Sequence, residues 1–265
     1  MSKIISAYYR VKSVDEALSL LAQPDTKLVG GGAHLLGSDV NCAVIDLQDL
    51  GLNQIEQQAG SLRVGAMVRL ANLEAALAEM SGETAVLLTN VLHKAGANTY
   101  RNAATVAGTV ARRLPDSEWL AALLALDAAI TLHSPDETTL SVADYLAAAE
   151  RPFGLITQLT IPMQAGQGNS SRVARTPADY PIVSVTGWKP ENGSVRLAAT
   201  GLGERPLRLV EAETAVSQQL DEKCIEAAAT AAAAANQHPG DFRGNAGYRA
   251  DMAAVLTRRV LSTLK

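Results

Sequence analysis

Aromatic residues are scarce in this sequence: phenylalanine, tyrosine and tryptophan together make up 4% of it. Its core must therefore be built from Ala, Leu, Val and Ile. Cysteine is scarcer still. Cys42 and Cys224 lie far apart and near no CxxC, which excludes a disulfide framework and an iron–sulfur site on this chain. Long apolar runs are missing as well. The longest, Leu120 to Leu126, is far short of the ~20 residues that span a bilayer, and MSKIISAYYRVKSVDEAL lacks the apolar core of a signal peptide. The expected location is the cytoplasm, with no membrane partner. No run of like charge stands out, and 23 basic against 27 acidic residues give a net charge of −4, which argues against a nucleic-acid partner. What remains, 48% hydrophobic and 19% charged over 265 residues, is the composition of a globular protein with room for two domains.

Along the chain, Ile4 to Arg10 reads as an extended start. Ser13 and Glu16 have capping-box spacing, and Val14, Ala17, Leu18 and Leu21 share a helical face, predicting a helix from Val14 to Ala22. Lys27 to Val29 and Ala43 to Asp46 read as strands on either side of a glycine turn, a βαβ-like unit. Gln54 to Gln58 and Leu62 to Ala66 flank Ala59-Gly60-Ser61 as a hairpin. Helices follow at Leu70 to Met80 and Ala85 to Ala95. The stretch from Asn98 to Glu118 has no clear period and is expected to be an irregular, packed, functional loop. A helix at Glu118 to Leu126 and strands at Ala129 to His133 and Ile156 to Ile161 complete a first domain, residues 1–163, with sub-parts at about 1–53 and 54–163. Polar, glycine-rich QAGQGNS at 164–170 reads as a linker. Strands at Ser171 to Arg175, Ile182 to Trp188 and Ser194 to Thr200, with a turn at Glu191-Asn192-Gly193, precede helices at Leu209 to Gln218, Asp221 to Asn236 and Asn245 to Leu264. These form a second domain, residues 170–265, a small antiparallel sheet covered by helices. The alanine tract from Ala227 to Ala235 suits a close-packing helix. The fold class is α+β.

The chain is organised around KLVGGGAHLLG, residues 27–37, in which three consecutive glycines remove every Cβ and permit positive φ. Successive N–H groups in such a turn can form an anion site. The run fails Walker A, because Gly32 and Gly37 are followed by Ser38-Asp39 and the phosphate lysine is missing. It also fails GxGxxG, starting with Gly30 and Gly32 but ending on Leu35. Taken alone, it leaves a tight turn and a ligand loop equally open. Thr105-Val106-Ala107-Gly108-Thr109 offers a second small-residue turn with hydroxyls. Pro115-Asp116-Ser117-Glu118 supplies a carboxylate for a ribose hydroxyl or, alternatively, the acidic start of a helix. His34 stands beside the glycines with no second His at metal-ligand spacing, so it reads as a loop histidine near phosphate and no metal site is expected. His93, His133 and His238 read as surface or cap residues. There is no Gly-x-Ser-x-Gly elbow, and Ser184 falls in a strand, so no hydrolase nucleophile is expected.

KLVGGGAHLL, RNAATVAGTVARRLPDSEWLAALLALDA (Arg101 to Ala128) and LITQLTIP (Leu155 to Pro162) together resemble the FAD-binding domain of molybdenum hydroxylases, in the flavoprotein (medium) subunit of the xanthine dehydrogenase and carbon monoxide dehydrogenase type. RVARTPADYPIVSV (Arg172 to Val185) and DFRGNAGYRADMAAVLTRRVL (Asp241 to Leu261) are similar to its C-terminal domain. The resemblance implies the two-part FAD-binding domain of this type, followed by the antiparallel domain, and FAD as cofactor. It implies pyrophosphate binding by backbone amides along Leu28, Val29, Gly30, Gly31, Gly32, Ala33, His34 and Leu35, and further flavin contacts at Thr105, Val106, Ala107, Gly108, Thr109, Glu118, Ile156, Arg172 and Tyr180.

Relative to the family's T-x-G-G-N, Ala107 adds a Cβ and Thr109 replaces Asn or Asp. Arg112 and Arg113 either compensate by pairing with phosphate or are an ordinary solvated pair. A bulky replacement of Gly31 is expected to give folded, colourless protein. The implied function is electron transfer: substrate oxidation on a molybdopterin-containing large subunit, 2Fe–2S clusters on a small subunit, FAD on this chain, and NAD, quinone or oxygen as acceptor. A flavin-free structural or regulatory subunit and a self-standing flavin reductase are the alternatives.

Overall fold

The computed structural model describes residues 4–35, 41–177 and 179–265. Leu36 and Gly37 of the glycine stretch, and the Ser38-Asp39 pair of the Walker A comparison, lie outside the described residues. In chain order the elements are β1 (Ile4–Arg10), α1 (Val14–Leu21), β2 (Thr26–Val29), β3 (Asn41–Asp46), β4 (Ile55–Gln58), β5 (Ser61–Gly65), α2 (Leu70–Ala78), α3 (Glu83–His93), α4 (Asn98–Ala103), α5 (Val106–Arg112), α6 (Glu118–Ala125), β6 (Ala129–His133), β7 (Glu137–Ser141), α7 (Val142–Ala147), β8 (Leu155–Pro162), β9 (Gly166–Val173), β10 (Val183–Pro190), β11 (Arg196–Thr200), β12 (Leu207–Arg208), α8 (Val210–Ala215), α9 (Glu222–Ala234), β13 (Gly240–Asp241), β14 (Gly244–Asn245) and α10 (Ala246–Thr263). They fall into two units interleaved in sequence. One takes the chain up to Leu73, Asn98–Arg112 and Ala129–Ile161; the other takes Glu74–Ala97, Arg113–Ala128 and Pro162–Lys265.

In the first unit, α1 is fixed by its start. Ser13 Oγ accepts from the Glu16 N–H at 3.1 Å, and the Glu16 carboxylate reaches back to the Lys12 N–H at 2.9 Å. Its buried face, Ala17 and Leu18, packs with Val11, Ile45, Leu47 and Leu155. β3 is the centre of a three-stranded sheet, with β1 and β2 both parallel to it. Two adjacent parallel strands need a crossover of about a dozen residues. The glycine stretch between β2 and β3 serves as that crossover, so the glycines leave from the carboxyl end of β2, where open parallel sheets place their ligands. A second, five-stranded sheet has the order β4-β5-β8-β6-β7.

Several elements of this unit differ from expectation. The segment after Asn98 is not irregular: it forms α4 and α5. α4 buries no residue and α5 is seven residues long, so neither displays a readable apolar period. The edge hairpin partner β7 was not legible because its sequence, ETTLS, is exposed or half-buried throughout.

In the second unit, the antiparallel sheet β12-β11-β10-β9 is covered by helices, as expected for this fold. Residues 164–170 are not a linker. From Gly166 onward they form β9, registered with β10 from Pro190↔Gly166 to Val183↔Val173. Their glycines answer to packing: a Cβ on Gly168 would lie 2.8 Å from Trp188 ring atoms, and one on Gly166 would lie 2.4 Å from the Lys189 carbonyl oxygen. The alanine face of α9 (Ala228, Ala229 and Ala232) is fully buried, in a core that includes Ala253, Leu256 and Val260 of α10. Arg249 is completely buried. Its Nη1 donates to the carbonyls of Ile182 (2.6 Å) and Gly201 (2.9 Å), and its Nη2 to Asp241 (2.7 Å). Arg243 joins Asp241 to Asp116 at 3.1 Å. The segment before the last helix is the β13–β14 hairpin, with Asn245 capping α10 by accepting from the Tyr248 N–H.

Candidate functional site

Gly30, Gly31 and Gly32 are there because something approaches closely, and part of that something is the chain itself. A Cβ on Gly31 would stand 1.5 Å from the Ala103 carbonyl oxygen, and one on Gly30 would stand 2.7 Å from Thr105 Oγ1. Gly32 has φ 69, the left-handed region that favours glycine. The two small-residue turns therefore pack against each other across Thr105, whose hydroxyl would also lie 2.9 Å from a Cβ on Gly108. This corrects the expectation for Gly31: a bulky residue there collides with backbone, so folded protein is not the expected outcome.

Beside this junction lies a cavity of about 580 Å³, within the range of small-molecule and cofactor pockets. All of Leu28 to Leu35 line it, together with Thr105, Ala107, Gly108, Thr109 and Ile156. Val106 does not; its side chain is fully buried. Residues 105–109 are also not a loop. They are the start of α5, and each N–H after Thr105 is engaged within the chain: Val106 to the Val68 carbonyl at 2.9 Å, Ala107 to Ala66 at 3.2 Å, Gly108 to Thr105 Oγ1 at 3.3 Å and Thr109 to Thr105 at 3.0 Å. The Thr109 hydroxyl donates to the Val106 carbonyl at 2.7 Å.

The charge of the cavity was not legible from motifs. Among the described residues Lys27, Arg112 and Arg151 line it, and no Asp or Glu does. All three are exposed, and no carboxylate among the described residues pairs with them. The His34 pKa is lowered by burial first and then by the nearby charges of Arg112 and Lys27, so the ring is neutral at pH 7. Phe153, 55% exposed, also faces the cavity from the loop before β8. Arg113, by contrast, is buried in the other unit, so Arg112 and Arg113 are neither a solvated pair nor a joint phosphate clamp.

Glu118, Arg172 and Tyr180 belong to the second unit and are brought together there. Ser117 caps α6, accepting from the Leu120 N–H at 3.3 Å, and this sets Glu118 at the first turn, 3% exposed. Arg172 Nη1 meets its carboxylate at 2.8 Å, and Arg172 Nη2 donates to the Asp179 carbonyl next to Tyr180. Burial pushes the Glu118 carboxyl up to about 7 in spite of the opposing pull of Arg172 and Lys94, with Asp116 adding to the rise. Burial, then Asp116, raises the Tyr180 phenol.

The remaining histidines have local partners. His93 meets Glu74 at 2.9 Å, His133 meets Glu137 at 3.4 Å, and His238 Nδ1 accepts from the Gly240 N–H at 2.9 Å. Ser184 is fully buried in β10 and shares a hydrogen bond with Thr200 at 2.8 Å. Among the described residues no group of three His, Cys, Asp or Glu could hold a metal ion, and no helix is long and apolar enough to cross a membrane.

Comparison with known proteins gives an ordered match. Residues 3–164 match the model of the FAD binding domain in molybdopterin dehydrogenase, and residues 174–264 that of the CO dehydrogenase flavoprotein C-terminal domain. The uncharacterised protein YgfM of Escherichia coli (strain K12) is 29% identical over 263 residues, covering 96% of this chain and 94% of that one. The glyceraldehyde dehydrogenase medium chain of Sulfolobus acidocaldarius is 25% identical over 281 residues, covering 96% of each. In fold, the chain is similar to a carbon monoxide dehydrogenase chain of Hydrogenophaga pseudoflava, with a TM-score of 0.91 at 23% identity over 100% of this chain and 98% of that one.

Proposed function

The chain belongs to the FAD-binding flavoprotein subunits of the molybdenum hydroxylase family, and from that membership we propose that it is the electron-transfer subunit of a three-component complex. It is an oxidoreductase subunit, and its cofactor is FAD. The proposed partners are a molybdopterin-containing large subunit, where substrate is oxidised, and a small subunit with 2Fe–2S clusters. NAD, a quinone or oxygen is the proposed acceptor, and the cytoplasm the proposed location. The absence of any CxxC fits this division of labour, because clusters must then sit on another chain. When bound, FAD supplies the capacity to take up and release electrons, and the protein supplies position and electrostatics.

The residues present fit that cofactor. The observation that carries the reading is the cavity built on Gly30 to Gly32 and the start of α5, with Lys27, Arg112 and Arg151 and no carboxylate among its described lining residues. Gly30 to Gly32 leave a wall without Cβ atoms, Leu28, Leu35 and Ile156 give it apolar lining, and neutral His34 offers one hydrogen bond without adding charge. Glu118, Arg172 and Tyr180 keep the flavin roles implied by resemblance as proposals. The test is the visible spectrum of the purified chain, with the released cofactor identified by mass. Yellow protein releasing FAD, and co-purification with a large molybdenum subunit and a small iron–sulfur subunit, is the expected result. Colourless folded protein that takes up no flavin refutes the reading. An NADH-to-dye assay on the isolated chain separates an electron-transfer subunit from a self-standing reductase.

A further inference from the structure

The start of α5 is the turn to which the family resemblance assigns flavin contacts beside the pyrophosphate loop of residues 28–35, yet its four amides from Val106 to Thr109 already donate within the chain, and so does the Thr109 hydroxyl. None of these donors can reach a ligand without giving up its bond to Val68, Ala66, Thr105 or Val106. Positive charge enters the same cavity by another route. Arg112 occupies the last turn of α5, four residues after Gly108, and both line the cavity. Residues four apart lie on one helix face, and a helical side chain leans toward the preceding turn, so the Arg112 guanidinium leans over the bare surface that Gly108 leaves. Lys27 approaches from β2, and both cations bear on the ring of His34.

We propose that Arg112, with Lys27, holds the diphosphate of an adenine dinucleotide in this cavity, adding side-chain charge beside the glycine turn of residues 28–35. The identity of the ligand as FAD rests on the flavin reading above; the charge arrangement specifies a diphosphate. A guanidinium suits that role because its planar fork can bond two phosphate oxygens at once. Amides fixed in a turn would bind with little dependence on salt. Exposed side-chain cations are screened on a length of ~10 Å at 0.1 M salt, so this site is salt-sensitive.

The experiment is calorimetric titration of the full chain, any bound flavin first removed, with ADP, adenosine, FAD and riboflavin at low and moderate salt. ADP binds more tightly than adenosine, salt weakens ADP but not adenosine, and Arg112→Gln weakens ADP about tenfold while leaving adenosine unchanged. Arg112→Lys recovers part of the loss, and Arg63→Gln, an exposed cation on β5 outside the cavity, changes nothing. Arg112 is exposed, and far-UV circular dichroism checks that each variant is folded. Unchanged ADP and FAD affinity in folded Arg112→Gln overturns the proposal and leaves the flavin reading standing. Wild-type protein that binds ADP through Arg112 but neither FAD nor riboflavin supports the proposal and overturns the flavin reading. Protein that binds none of the four ligands overturns both.

Discussion

Replacing Glu118 by glutamine should stabilise the second unit at pH 8 and do little at pH 4.5. Glu118 is 3% exposed, and its carboxyl is pushed from 4.5 up to about 7, chiefly by burial. In the unfolded chain it ionises near its ordinary value. Between those two values the folded state holds a proton that the unfolded state has released, so stability falls as pH rises through this window. At 1.36 kcal/mol per unit, the full shift corresponds to on the order of 3 kcal/mol, lost by pH 8 and fully recovered below about pH 4.5. Glutamine keeps an oxygen for Arg172 and does not titrate. The difference in stability between variant and wild type should therefore widen by about 3 kcal/mol across the window, or roughly 6–12 °C in Tm for a unit of this size. The assay is built into the chain: its two tryptophans, Trp119 and Trp188, are both buried in the second unit, so tryptophan fluorescence follows that unit alone. A gap that stays constant from pH 4.5 to pH 8 would refute the argument, because burial would then not dominate the Arg172 pairing.

Gly31→Ala places a methyl group into the Ala103 carbonyl and should leave the first unit unfolded or proteolysed, whereas Gly60→Ala, strained at φ 76 but with open space around it, should cost only about 1 kcal/mol in denaturant titrations. Gly168→Ala pushes on the Trp188 ring at 2.8 Å and should destabilise by about 1–3 kcal/mol, with a red-shifted tryptophan emission. Arg249→Met leaves the buried carbonyls of Ile182 and Gly201 without their donor and should cost about 2–5 kcal/mol. Burial pushes the Asp241 carboxyl up, but bonds from Arg249 and Arg243 outweigh it and hold the group well below its ordinary 3.8. Its stabilisation is therefore present above that pH and lost on acidification. Asp241→Asn should flatten the acid limb of the stability profile.

The elements that announced themselves in the sequence are those whose own residues set them. Helix α1 was legible because Ser13 and Glu16 cap it and four apolar residues share a face, and the glycine run was legible because three missing Cβ atoms need an explanation. Helices α4 and α5 were not, since one buries nothing and the other is too short to show a period. β9 was misread because the glycines that imply a linker are also those that let Trp188 lie flat. At the site, residues 28–35 were visible as a motif. Arg112 was legible only together with Arg113, as a phosphate pair or a solvated pair, and Lys27 and Arg151 were not legible as cavity charges, because only the fold turns these three toward one space.

The interleaving of the units sets a schedule for biosynthesis. Every residue of α6 from Glu118 to Ala125 is buried, and this helix packs against β10 and β11. A ribosome adding 5–20 residues per second takes roughly 4–15 seconds to go from Ala125 to Thr200, and longer to deliver α10. Through that interval WLAALLA leaves the exit tunnel with α3 made but its sheet cover, β10 and β11, still to come. The nascent chain is then a natural client for a chaperone, and the last hundred residues, rather than the first, decide when this protein stops needing one.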